Sequence, residues 1–169
     1  MRTTKLATPV LVALTAAAGA ALAGPVPNPG FDKLKTLAGR WETAMSDGKR
    51  ATVSYEVVSA GSALLERIGG DHHADMEMIT VYHPDGDRLV MTHYCSAQNQ
   101  PRMAAPPTSG DANEIAFSFL DVTNLAAPDS GHMRGLVVRF VDADHFEQEW
   151  TFRAKGAEEK EVFRWSRVE

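Results

Sequence analysis

Beyond residue 38 the chain is built from short runs in which apolar and polar residues alternate, separated by turn-forming residues at intervals of roughly ten. Alternation with a period of two puts the apolar residues on one face of a β-strand. About ten such runs occur, a number that suits a closed antiparallel barrel. The predicted strands cover residues 40–45, 52–58, 63–68, 76–83, 88–95, 100–104, 114–121, 133–141, 145–153 and 161–168.

One short helix is predicted ahead of these strands. Asn28 suits its N-cap and Pro29 its first turn, an apolar face follows, and Gly39 ends it. A cone-shaped α+β fold would need about three helices before its sheet, so the pattern favours an all-β domain. The apolar face is formed by Phe31, Leu34 and Leu37.

Two hairpins define a polar set on the apolar faces. Around the turn at 59–62, pairing Val58 with Ala63 sets Tyr55 opposite Glu66. Around the turn at 84–87, whose Asp-Gly pair favours a hairpin, we pair His83 with Arg88. Together with the later strands, these registers place ten candidate cavity residues inward: Tyr55, Glu66, Met78, Thr80, Tyr82, Met91, His93, Cys95, Gln148 and Trp150.

The N-terminus predicts export. Arg2 and Lys5 precede an uncharged apolar stretch, and Ala21-Leu22-Ala23 offers the small residues that a signal peptidase reads. Residues 1–23 are therefore expected to be a cleaved signal peptide, followed by a stiff linker at 24–30 and a barrel domain at 31–169. We expect a periplasmic or secreted protein that keeps no membrane anchor.

The net charge and the cysteine content limit the partners and the covalent links that this chain can have. Once Arg2 and Lys5 leave with the signal, 15 basic side chains face 22 acidic ones, a net charge of −7 that argues against nucleic acid as a partner. The single thiol, Cys95, excludes an internal disulfide, and we expect it to be buried away from oxidants.

The segment from Leu37 to Glu42 contains Gly39-Arg40-Trp41, and in this position it resembles the start of a calycin, the superfamily of lipocalins and fatty-acid-binding proteins. Residues 78–103 resemble exported bacterial lipocalin-like proteins of uncharacterised function. The resemblance implies a calycin-like barrel in which a basic side chain of the last strand, Arg164 or Arg167, packs over Trp41.

Several inward polar groups on otherwise apolar faces are typical of a ligand cavity, because each must be hydrogen-bonded if it is buried. An inward Glu66 should have a raised pKa, with His93 or Arg102 as its partner. The sequence therefore predicts a protein that binds a small apolar or amphipathic molecule. No cofactor is assigned.

Three alternatives stay open. His93 and Glu66 could form the acid/base pair of a small enzyme, although no catalytic motif accompanies them, so the sequence favours a binding protein. His93 could also hold haem without covalent attachment. A metal could bind the loop at residues 72–76, where adjacent His, Asp and Met residues lack the fixed spacing of a structured site.

Overall fold

The computed structural model describes residues 26–45, 47–70 and 77–168. The expected signal peptide and the candidate metal loop lie outside these residues. The described chain forms one short helix and ten antiparallel strands that close into a barrel. The elements are α1 Pro29–Lys35, β1 Gly39–Ala44, β2 Arg50–Val58, β3 Ala63–Gly70, β4 Met78–Asp85, β5 Arg88–Tyr94, β6 Gln100–Ala105, β7 Glu114–Thr123, β8 His132–Phe140, β9 His145–Ala154 and β10 Ala157–Val168.

Each strand pairs with its neighbours in sequence, and β1 pairs with β10 to close the barrel. The all-β prediction with one short helix is confirmed. No helix among the described residues has the length and apolar character needed to span a membrane.

The helix begins as the sequence predicts, because the Asn28 side chain accepts a hydrogen bond from the Phe31 amide at 2.9 Å. The same side chain donates to the carbonyls of Gly86 and Arg88, which ties the helix to the β4–β5 turn. Phe31 and Leu34 are buried in the core. The helix therefore covers the barrel end that carries the β4–β5 turn.

The register predicted for β2 and β3 is confirmed residue by residue, with Tyr55 opposite Glu66 and Val58 opposite Ala63. The register predicted for β4 and β5 is wrong by two residues. His83 pairs with Val90, and Asp85 pairs with Arg88 around a two-residue turn in which Gly86 adopts a φ of 63°. A shift of two keeps every side chain on its predicted face, because the side-chain period of a strand is two.

The basic side chain that packs over Trp41 is that of Arg167, not that of Arg164. Its guanidinium lies 3.9 Å from the centre of the Trp41 ring, and it donates to the carbonyls of Thr36 and Ala38. Arg164 instead pairs with Glu147 on the outer surface. A Cβ atom at Gly39 would lie 2.9 Å from an Arg167 nitrogen, and Gly39 has a φ of 130°, so glycine is required beside this arginine.

Candidate functional site

Four inward residues form a row across the middle of the barrel. Tyr55 pairs with Glu66, Glu66 with Thr80, and Thr80 with His93, so each of the strands β2 to β5 contributes one member. All four side chains are buried. The alternation of each strand dictates this arrangement, because directly opposed residues on one face lie close enough for their side chains to bond.

The carboxylate of Glu66 lies at the centre of this row. Its Oε2 accepts hydrogen bonds from the Tyr55 hydroxyl at 2.6 Å and the Tyr82 hydroxyl at 2.9 Å. The Gln148 amide donates to the same oxygen at 2.8 Å, while the Thr80 hydroxyl donates to Oε1 at 2.9 Å. Four donors thus satisfy a buried acceptor that carries two oxygens.

Burial raises the pKa of the Glu66 carboxyl above its ordinary value, as expected from the sequence, and the hydrogen bonds from its four donors oppose this rise. Burial also raises the pKa values of the Tyr55 and Tyr82 hydroxyls, an effect that the charge of Glu66 reinforces. Both phenols therefore stay protonated and act as donors.

Gln148 links this cluster to the last strand. Its Nε2 also donates to the Tyr55 hydroxyl at 2.9 Å, and its Oε1 accepts from the Trp165 indole at 2.9 Å. Trp165 was not among the predicted site residues, although its place in an alternating run marked it as inward-facing. The cluster is internally satisfied and joins strands from both sides of the barrel.

His93 ends the row and faces a different environment. Its Nδ1 lies 2.9 Å from the Thr80 hydroxyl, whereas its Nε2 is buried without a hydrogen-bond partner. Its ring lies 4.8 Å from that of Trp150, whose indole nitrogen is also buried and unpaired. Burial lowers the pKa of the His93 imidazole from 6.5 to about 4, so the ring is neutral at pH 7.

These two side chains line a cavity of about 330 Å³. Strand ends and the β5–β6 turn at residues 95–99 place it at the barrel end opposite α1. Its floor is buried and its rim, at Ser96, Ala97 and Glu161, is exposed. The remaining lining residues are Ile68, Met78, Cys95, Met133, Phe152 and Phe163.

The ten predicted cavity residues thus fall into two groups. Met78, His93, Cys95 and Trp150 line the cavity. The other six lie deeper in the barrel, outside the cavity lining: Tyr55, Glu66, Thr80, Tyr82, Met91 and Gln148.

Two expectations about individual side chains need correction. Cys95 is half-buried rather than buried, because β5 ends at Tyr94 and the thiol lies at the start of the turn. Arg102 is not a partner of Glu66; it forms an ion pair with Asp121 on the outer surface. His93 does reach Glu66, through the single hydroxyl of Thr80.

The rim residues Ser96 and Ala97 were missed because a polar turn has no periodicity that shows which side it faces. Phe152 and Phe163 were recognisable as inward-facing from their strands. Among the described residues, no three His, Cys, Asp or Glu side chains are arranged to hold a metal ion. The chain matches no protein-family model and no curated protein.

Proposed function

We propose that this chain is an exported protein that binds a small, largely apolar molecule in the cavity opposite α1. The observation that carries the proposal is that two residues lining an otherwise apolar cavity, His93 and Trp150, each hold a buried nitrogen without a hydrogen-bond partner, Nε2 and Nε1 respectively. Leaving two such groups without partners costs free energy that a bound ligand would recover.

The size of the cavity supports a small ligand. Its volume of about 330 Å³ lies at the lower end of the range typical of ligand pockets, roughly 300–1,000 Å³. Aromatic and thioether side chains form its wall, which suits an apolar body with few polar groups. The exposed rim gives such a molecule a route of entry.

An acid/base enzyme that uses His93 and Glu66 is the second candidate, favoured by the Thr80 hydroxyl that bridges them. The properties of the two groups support binding more than catalysis. An imidazole with a pKa of about 4 is a weak base at neutral pH, and Thr80 and its neighbours separate Glu66 from the cavity.

Calorimetric titration of the purified protein with propylbenzene, an apolar molecule of suitable size, tests the proposal. We expect saturable binding in the wild type. Met133→Trp places an indole ring where the cavity wall has a methionine side chain, and it should abolish binding. Leu120→Trp adds the same ring on the exposed outer surface and should leave binding unchanged. Equal binding by both variants would contradict a cavity site.

The same preparation distinguishes the haem and metal alternatives. A visible absorption band, or a metal that co-purifies in a one-to-one ratio, would favour them over an organic ligand. Native mass spectrometry of protein isolated without refolding should instead show an added mass of a small organic molecule.

A further inference from the structure

The hydroxyl of Thr80 can donate only one hydrogen, and its two neighbours compete for it. It lies 2.9 Å from Glu66 Oε1 and 2.9 Å from His93 Nδ1. If the hydrogen points to Glu66, Thr80 must accept from a protonated Nδ1. If it points to His93, Glu66 must itself supply a proton to Thr80. The state of Glu66 therefore fixes which nitrogen of His93 carries the hydrogen.

The surroundings of Glu66 select between these arrangements. Tyr55, Tyr82 and Gln148 all donate to Oε2, so Thr80 faces the other oxygen. Four donors directed at one carboxylate suit its ionised form, which accepts from all of them without supplying a proton. Thr80 then donates to Glu66, and His93 donates to Thr80 from Nδ1. This leaves Nε2 of the cavity-lining His93 as an acceptor that carries no hydrogen.

Two neighbouring residues of the cavity lining consequently hold one unpartnered acceptor, His93 Nε2, and one unpartnered donor, the Trp150 N–H. Resting on the function proposed above, we propose that the cavity selects a neutral ligand with a hydroxyl group on an apolar, preferably aromatic, body. The ligand hydroxyl donates to His93 Nε2 and accepts from the Trp150 indole. No other common uncharged group supplies both roles from a single oxygen atom.

The charges around the cavity oppose an anionic ligand. No arginine or lysine is found among the lining residues that the structure describes, whereas Glu161 lies at the rim. The carboxylate of Glu66 lies behind His93, one hydroxyl away. A carboxylate ligand would meet the lone pair of Nε2 and two like charges, with no lysine or arginine among the described lining residues to compensate them. The site is therefore expected to reject fatty-acid-like anions.

Four matched probes test the selection by calorimetry. Of these, 4-propylphenol carries the hydroxyl, and propiophenone has the same number of non-hydrogen atoms but a carbonyl that can only accept. Propylbenzene lacks the polar group, and 4-ethylbenzoate is an anion. We expect the phenol to bind about tenfold more tightly than the ketone, the value of the one hydrogen bond that the ketone cannot make, and the hydrocarbon, which makes neither bond, to bind more weakly still. The benzoate should bind most weakly.

Glu66→Gln should reverse the preference between the phenol and the ketone. A merely structural role of Glu66 would not produce this reversal. Three donors still face the Oε2 position, so the amide oxygen must take that place and the amide nitrogen must donate to Thr80. Thr80 then donates to Nδ1, and the hydrogen of His93 moves to Nε2. The variant presents two donors, and we expect it to prefer propiophenone over 4-propylphenol.

Nitrogen-15 NMR of the imidazole reads the tautomer directly, without any ligand. The wild type should show the hydrogen on Nδ1, and Glu66→Gln should show it on Nε2. If Glu66→Gln does not fold, Thr80→Val breaks the relay and should remove the preference for the phenol over the ketone.

The outcomes separate the two proposals. Equal binding of all four probes, tightest binding of the benzoate, or a hydrogen on Nε2 in the wild type would overturn the hydroxyl selection while leaving the cavity as a binding site. Failure of every probe, propylbenzene included, would overturn the proposed function together with this inference.

Discussion

The hydroxyl of Thr80 lies 2.9 Å from Nδ1 of His93, and it connects the carboxylate of Glu66 to the wall of the cavity by two hydrogen bonds. A structural core and a candidate binding site are thus joined through the side chain of Thr80. Substitutions inside the cluster should therefore alter ligand binding in the cavity, although the substituted residues do not line it.

Thr80→Val should lower the free energy of unfolding by about 2–4 kcal/mol, because an isosteric methyl group leaves both His93 Nδ1 and Glu66 Oε1 buried without this partner. Thr80→Ser keeps the hydroxyl and loses only a methyl group, so its cost should be about 1 kcal/mol. Urea denaturation measures both. Similar losses for the two variants would mean that the hydroxyl is not what holds this row together.

Stability should fall on acidification because of His93. Its folded pKa of about 4 lies below its ordinary value of 6.5, so between these values the unfolded chain binds a proton that the folded chain refuses. The free energy of unfolding should therefore drop by roughly 3 kcal/mol as the pH falls through this window.

Glu66 opposes this trend, because its raised pKa makes the folded chain take up a proton first as the pH falls. Comparison with His93→Gln, which does not titrate, isolates the histidine contribution. In denaturation curves recorded at pH 7 and pH 4, the wild type and His93→Gln should be closer in stability at pH 4 than at pH 7. A constant difference would show that His93 is not buried as a neutral ring.

Two tryptophans provide a matched pair. The Trp165 indole donates to Gln148, whereas the Trp150 indole has no partner. Trp165→Phe leaves Oε1 of Gln148 buried without its donor, whereas Trp150→Phe removes a donor that has no partner. The free energy of unfolding should therefore fall by about 1–2 kcal/mol more in Trp165→Phe than in Trp150→Phe. In contrast, Trp150→Phe should weaken 4-propylphenol binding and Trp165→Phe should not do so directly. Urea denaturation and calorimetry together check both halves; the opposite ranking would argue against Trp150 as a ligand donor.

Cys95 reports occupancy of the cavity. It is half-buried and lines the cavity wall, so a disulfide reagent such as Ellman's should reach it in the free protein. Saturating 4-propylphenol should slow this reaction several-fold. The reaction of urea-unfolded protein serves as the control, since the phenol should not affect it. An unchanged rate at a phenol concentration that calorimetry shows to be saturating would place the ligand elsewhere.

Arg167→Lys should cost about 1–2 kcal/mol, because lysine cannot stack on Trp41 and bond the carbonyls of Thr36 and Ala38 at once. Arg164→Lys is the matched control. Arg164 forms an exposed ion pair with Glu147, and its replacement should change stability by less than about 0.5 kcal/mol. Thermal denaturation of both variants tests the difference.

The fold was accessible from the sequence where alternation and turns agree. The turn at 59–62 fixes the β2–β3 register, and so Tyr55 opposite Glu66 was predicted. The β4–β5 turn was misplaced, because Pro84 and Asp85 were taken as turn residues although both extend β4. The inward faces survived this error, since period-two alternation is insensitive to a shift of two.

The division of the polar residues between a closed cluster and a cavity could not be predicted. Alternation shows that Gln148 and His93 both face inward, but not how far each lies along the barrel axis or which atoms it meets. That Glu66 receives four donors depends on the stagger of four strands, and Gln148 and Glu66 are separated by 82 positions in the chain. Such a meeting has no local signal in the sequence.

Closure of the barrel by β1 and β10 has a consequence for how the chain reaches this state. Arg40 pairs with Val168, so β1, which is synthesised first, gains its second neighbouring strand only when β10 has been synthesised. Until then, a growing chain exposes an unpaired edge of the kind that invites aggregation. Long-range closure of this type slows folding, and it suits a protein that completes its structure only after synthesis has ended.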